Sequence, residues 1–315
     1  MKLKYTLAAL VFALSAGMTI AAEPARPATA VQKVQQKSFA SPEEAGEALA
    51  QAIRAQDRTA LLAVLGPASA SWLSSGDETA DRADWAKFLS AYEAKHTLSR
   101  AADNKAVLVV GQSDWEFPAP IVQRTSGWVF DSMAGREEII NRRVGRNELE
   151  TIQTLLAIVD AQREYAVGDL DGNGYNDYAQ RIISSEGKRD GLFWPVQAGT
   201  TPSPLGPLVA AAARQGYGKR AGADKPAPYH GYRFRLLKAQ GAKATGGAYS
   251  YLAGDKMIGG FAAVAYPAKY GISGVMTFMV NHDGTVYQKN LGKASEGLAL
   301  KMMAFNPDAS WRKVQ

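Results

Sequence analysis

The chain of 315 residues has no cysteine. That excludes disulfide bridges, thiol nucleophiles, thiolate zinc sites and lipid attachment at a mature N-terminal cysteine. Histidine is nearly as scarce. His96, His230 and His282 are the only three, none belongs to a His-x-x-x-His pair, and each reads as a surface or turn residue. Hydrolase and nucleotide signatures are missing as well. There is no Gly-x-Ser-x-Gly elbow, no Ser-x-x-Lys set with its partner motifs, no Gly-x-x-x-x-Gly-Lys-Ser/Thr loop and no Gly-x-Gly-x-x-Gly turn. Long apolar runs are absent after the N-terminus, so no membrane span is expected in the mature chain.

What is present first is an export signal. Lys2 and Lys4 precede an apolar run from Leu7 to Met18, and Ala21 and Ala22 offer a cleavage site. The alternative, an uncleaved anchor, needs about 20 apolar residues, and this run is shorter. Cleavage removes two lysines and takes the formal charge from +6 to +4. No basic cluster interleaved with aromatics marks a nucleic-acid face. A cysteine-free exported chain suits the periplasm, and the segment 23–38, rich in Ala, Pro and Gln, reads as a flexible linker.

Two α+β domains are expected, at 39–135 and 136–315. Ser41-Pro-Glu-Glu44 is a helix start with a capping box. A second helix runs from Arg58 to Leu65 and stops at Gly66-Pro67, and a third begins near Arg82. Strands follow at Ala106–Val110, Ile121–Gln123 and Trp128–Phe130. A long helix spans Arg136 to Ala166, with Ile140, Val144, Leu149, Ile152, Leu156 and Val159 in one stripe. Gly145 in its middle marks a kink or a close contact. The cluster Asn141 to Glu148 reads as a solvated or interdomain helical face, with an anion site as the alternative. In the second half, strands are expected at Gly191–Val196, Tyr232–Ala239, Met257–Tyr266, Gly274–Asn281 and Thr285–Lys289. Asp283-Gly284 turns the last pair. Tyr232, Phe234 and Leu236 alternate with two arginines, as in a strand with one wet face. The tail after Gly292 is expected to be irregular, with Trp311 docked on the body. Trp115, Trp194 and Tyr266 are expected in cores.

The stretch with specific chemistry is Asp169-Leu-Asp-Gly-Asn-Gly-Tyr-Asn-Asp177. Asp169, Asp171, Asn173 and Asp177 alternate as in an EF-hand-type calcium loop, with Gly174 at the sharp turn and the Tyr175 carbonyl as backbone ligand. Calcium takes six to eight oxygens, and alternating acidic side chains supply them from a short segment. Gln180 stands where such loops carry a bidentate Glu. The competing expectation is an Asp/Asn/Gly turn that bonds its own backbone or caps a helix over Tyr178–Ile183. A bound calcium ion would be structural.

Several blocks together resemble a family of bacterial exported proteins, DUF2950. They are Gly111-Gln-Ser-Asp-Trp-Glu-Phe-Pro-Ala-Pro120, Arg142-Arg-Val-Gly-Arg-Asn-Glu-Leu149, Asp160-Ala-Gln-Arg-Glu-Tyr165, Tyr229-His-Gly-Tyr-Arg-Phe234, Gly246-Gly-Ala-Tyr249, Gly271-Ile-Ser-Gly-Val-Met-Thr-Phe278 and Asn281-His-Asp-Gly284. The family has no assigned activity, so the likeness implies identity without mechanism. Three helices followed by strands over about 39–135 resemble an NTF2-like, or cystatin-like, cone. The order of helix, Asp-rich loop and strands from Glu148 to Gly292 is similar to the globular head of type II secretion pseudopilins, although no prepilin leader or apolar half-helix precedes it. These likenesses imply a non-enzymatic periplasmic protein acting through a protein or cell-envelope component. The alternative they leave is a small-ligand binder or enzyme with its site in the cone or the interdomain cleft.

Overall fold

The computed structural model describes residues 34–196, 199, 201–218 and 227–314. The expected signal segment, most of the linker and part of the loop 216–228 lie outside them. The class is mixed α+β.

The first lobe begins with α1 (Pro42–Arg54), α2 (Arg58–Leu65), a one-turn α3 (Ala70–Leu73) and α4 (Glu78–Ala94). Each long start has a side-chain cap. Ser41 Oγ accepts from the Glu44 N–H at 3.1 Å, Asp57 from Thr59 and Ala60, and Asp77 from Ala80. Asp77 sets the start of α4 four residues before the expected Arg82. An antiparallel sheet follows, made of β1 (His96–Ala102), β2 (Lys105–Val110), β3 (Trp115–Glu116), β4 (Ile121–Arg124) and β5 (Gly127–Phe130), in the order β1-β2-β4-β5 with β3 beside β2. The helices cover one face. Leu49, Trp72, Phe88, Leu108, Val110, Phe117, Ile121 and Phe130 fill the layer between and are all buried. Trp115, expected in a core, is 37% exposed and lies under Arg142.

α5 (Arg136–Tyr165) then runs through both lobes. Its first turns add Ile139, Ile140 and Val144 to the first core, and its last turns add Leu155, Ile158, Val159 and Tyr165 to the second. The buried stripe differs from the expected one. Leu149 is 67% exposed, while Asn147 and Thr151 are buried. An added Cβ at Gly145 would meet nothing within 4 Å, so no close contact demands that glycine.

The second lobe comprises β6 (Arg181–Ile183), β7 (Gly191–Phe193), α6 (Gly206–Arg214), β8 (Tyr232–Leu237), β9 (Ala239–Gln240), β10 (Tyr249–Ser250), β11 (Ala262–Pro267), β12 (Thr277–Asn281), β13 (Val286–Lys289), α7 (Ser295–Lys301) and β14 (Arg312–Lys313). The main sheet is an antiparallel meander, β14-β13-β12-β11-β8, and α5 packs on its β11–β13 strands. The tail after Gly292, expected to be irregular, carries the helix α7 and the short strand β14. Ala299 of α7 is fully buried, and Arg235 donates to the carbonyls of Ala299 and Met302 at the end of that helix. The arginine side of β8 is therefore covered rather than wet. Trp311 docks as expected, 9% exposed. Among the described residues, no helix is long and apolar enough to cross a membrane.

An exposed helical glycine with open space around it carries a backbone-entropy cost and no compensating contact. Gly145→Ala is expected to stabilise the protein by about 0.5–1 kcal/mol in urea titration, with an unchanged m-value.

Candidate functional site

Where α5 ends at Tyr165, the chain enters the Asp-rich turn. Gly172 and Gly174 adopt positive φ, 75° and 87°, which lets the turn fold back on itself. Asp169 accepts the N–H of Asn173 and of Gly174, both at 2.8 Å, and Asp171 accepts the Asn173 N–H at 3.2 Å and its side-chain amide at 2.9 Å. Asn173 Oδ1 accepts the Tyr175 N–H at 3.0 Å. Its Nδ2 also stands 3.3 Å from both Asp177 oxygens. The Gly174 amide holds the Asp169 carboxyl below the usual carboxylate range. Burial pushes Asp177 above it, opposed by the Asn173 amide. Asp177 is 3% exposed.

The structure thus brings Asp169, Asp171, Asn173 and Asp177 onto one turn. As they stand, no three His, Asp or Glu side chains converge on a cation position among the described residues. The Asn173 amide would have to turn over for its oxygen to join a ligand set. Gln180 is committed elsewhere, donating to Asp255 O at 2.6 Å and accepting from Lys238 at 2.7 Å. The chain continues into β6, so there is no helix at Tyr178–Ile183 for the turn to cap. A cavity of about 200 Å³ opens beside the turn, lined by Tyr165, Asp171, Asp177, Arg181, Asp190 and Lys238.

The second polar constellation joins the two lobes and draws on the Asn141–Glu148 cluster. Asn147 donates to Ser273 O at 2.9 Å. Glu148 Oε1 accepts the N–H groups of Val275 and Met276, both at 2.9 Å, and lies 3.4 Å from the Tyr232 hydroxyl. One turn earlier, Arg143 donates to Trp72 O, and Arg146 pairs with Asp84 at 2.6 Å. The polar face of α5 is accordingly a docking surface within the molecule, as one sequence reading expected, and its anions are the protein's own.

Asp77 makes a parallel link. While capping α4, it also accepts the Tyr217 hydroxyl and the Gly231 N–H, each at 2.9 Å. The Tyr217 hydroxyl in turn accepts the His230 N–H at 3.2 Å. These two amides converge because His230 and Gly231 both have positive φ, 47° and 73°. Gly231 cannot carry a side chain, since a Cβ would stand 2.6 Å from Asn147 Nδ2. His230 lies on a turn, as expected, with its ring mostly covered: it packs against Tyr229 and Tyr217 and lies 4.0 Å from Glu150, and burial lowers its pKa. His96 stacks on Tyr92 at 4.0 Å, and His282 lies on the β12–β13 turn beside Asp283. The sequence signal for Asp77 was its place before a helix; for His230-Gly231 it was the Tyr-His-Gly-Tyr-Arg-Phe block.

Comparison with known families decides what this arrangement belongs to. A family described as a protein of unknown function (DUF2950) matches residues 36–314. The chain belongs to the DUF2950 family. No curated protein and no solved structure matches it. In this DUF2950 protein three of the blocks that carried the resemblance have physical roles at the junction. Arg142–Leu149 holds the docking residues of α5, Tyr229–Phe234 holds the left-handed pair, and Gly271–Phe278 supplies the amides that Glu148 binds.

Removing the Glu148 carboxylate leaves two amides without their shared acceptor. Glu148→Ala is expected to cost roughly 1.5–3 kcal/mol by urea titration, the range for hydrogen bonds to a charged group. Arg142→Ala, which breaks an exposed pair with Glu138 and uncovers Trp115, should cost only about 0.5–1 kcal/mol. At the turn, the raised Asp177 pKa means that the folded state favours the protonated form. Its contribution is greatest below the unfolded carboxylate range and is lost as pH rises through the folded pKa. Asp177→Asn should therefore raise Tm at pH 7 in chelator-treated protein, and the gain should shrink towards pH 4.

Proposed function

We propose that this DUF2950 protein is exported and works without catalysis, through contacts with another protein or a cell-envelope component. The observation that carries the reading is the filled interior of the first lobe. Phe88 packs on Tyr92, Trp115 and Phe117 at ring-centroid distances of 5.4–6.3 Å, and Phe117 meets Phe130 at 5.8 Å. In a cone like that of the NTF2-like proteins, a ligand would need the volume these rings occupy. The cleft beside α5, the other place for a small-molecule site, is closed by the bonds of Asn147, Glu148 and Asp77. Two surface cavities, of about 200 and 250 Å³, fall below the usual range of roughly 300–1,000 Å³ for small-ligand sites. Export is supported by Lys2, Lys4 and the Leu7–Met18 run, and a periplasmic location by the lack of cysteine. The meander with α5 across it supports likeness of the second half to a pseudopilin head.

A second reading gives the Asp169–Asp177 turn a structural calcium ion. It is favoured by the burial of Asp177 beside Asp171, which an ion would offset. Calorimetric titration of calcium into chelator-treated mature protein tests it. Heat at one ion per chain, lost in Asp177→Asn, supports the reading, and no heat with no change in Tm removes it.

For the leading reading, the tagged mature chain is crosslinked in cells and purified. A defined partner is expected, and its capture should be reduced by charge substitutions at exposed apolar residues such as Met303→Glu or Leu149→Glu, with Tm unchanged. A monomer that captures nothing across growth conditions, while a metabolite screen shifts its Tm, contradicts the proposal.

A further inference from the structure

The helix α5 has two patterned sides. Its inner side, with Ile140, Asn147, Thr151 and Ile158, is buried in the two lobes. On the opposite side of the helix, Gly145, Leu149, Ile152 and Leu156 follow at alternating steps of three and four residues, the spacing of a coiled-coil seam. Leu149 is largely exposed, and Ile152 and Leu156 are half-buried. A Cβ at Gly145 would meet nothing within 4 Å. Charges continue the same line at both ends. Glu138 and Arg142 stand at one end, Asp160 and Arg163 at the other, and all four are exposed. Within the chain they pair as Arg142 with Glu138 and Arg163 with Asp160. Read along the helix, the outer line is therefore minus, plus, apolar, minus, plus.

That order complements its own reverse. We propose that the outer face of α5 is a self-association surface, on which a second copy of this chain packs antiparallel with Leu149 of each copy against Ile152 of the other. In this register Leu156 of one copy lies over Gly145 of the other, large against small. Arg142 of each copy then faces Asp160 of the other, and Glu138 faces Arg163. Charges beside such a seam set partner choice and orientation, and here they select both. A parallel pair sets every charge against its own like. Slipping the antiparallel pair by about one turn opposes Arg142 to Arg163 in one direction and Glu138 to Asp160 in the other. A slip of a whole heptad lays Arg142 on Ile152, or Arg163 on Gly145, and leaves the end charges without mates. The same patch serves both copies, as a closed two-fold interface requires. Met303 lies beyond α7, on the face of the main sheet away from α5, so capture of another protein there leaves this pairing unchanged.

The test is sedimentation of the purified mature chain from low micromolar to several hundred micromolar, because a single helix seam lies at the small end of stable interfaces. A reversible dimer is expected. Arg142→Glu alone and Asp160→Lys alone should each raise its dissociation constant at least about tenfold, since either homodimer opposes like charges twice. An equimolar mixture of the two variants restores both pairs and should dimerise as tightly as the unaltered chain. If Arg142→Glu fails to fold once its cover over Trp115 is lost, Glu138→Arg and Arg163→Glu repeat the exchange at the outer pair. A monomer throughout the range overturns the proposal and leaves the face to a different partner. So does a dimer that persists unweakened in the single variants, or a mixture that associates no more tightly than its components.

Discussion

The rest of the structure depends on one contact, the insertion of Glu148 into the amides of Val275 and Met276. A carboxylate that accepts two backbone N–H groups pulls the Gly271–Phe278 segment onto α5. With it come Asn147 against Ser273, and Ile272 into the first lobe's core. Asp77 repeats the device from the other side by capping α4 and gripping Gly231 and Tyr217 together. Charge-assisted bonds of this kind are about twice as strong as neutral ones. Removing one partner costs more than the bond contributes, because its mates stay desolvated. The two lobes are thus held by side chains as well as by the shared helix α5, in a protein that cannot form disulfides.

This explains which elements were legible in the sequence. The starts of α1 and α2, the β4–β5 hairpin and the Asp283-Gly284 turn were readable because local caps and turn residues determine them, and the extent of α5 because its apolar residues recur at helical spacing. β1 was not, since His-Thr-Leu-Ser-Arg-Ala-Ala has no alternating apolar pattern and is a strand only because β2 pairs with it. α7 was missed for a similar reason: Arg235, some sixty residues away in the chain, ends it. The error along α5 is the most informative. An apolar stripe through Leu149 assumes that a buried helix face must be apolar, whereas this face buries Asn147 against the Ser273 carbonyl and Thr151 with its hydroxyl bonded back to Asn147 O.

The candidate site was legible in part. Alternating Asp169, Asp171, Asn173 and Asp177 do meet on one turn, as their spacing required. The commitment of Gln180 to Asp255 and Lys238 could not be read, because both partners arrive from the second-lobe strands and loops. Asp77 and the His230-Gly231 pair escaped notice because each residue alone has an ordinary local explanation. Only the fold shows that they serve one junction. The polar groups of that junction bond within the molecule.

The most direct test of this account is differential scanning calorimetry of the unaltered mature chain. If the Glu148 and Asp77 contacts make the lobes one cooperative unit, a single transition should appear, with calorimetric and van't Hoff enthalpies equal. Two resolved transitions in the unaltered protein would contradict the account, because they would show that each lobe stands without the other.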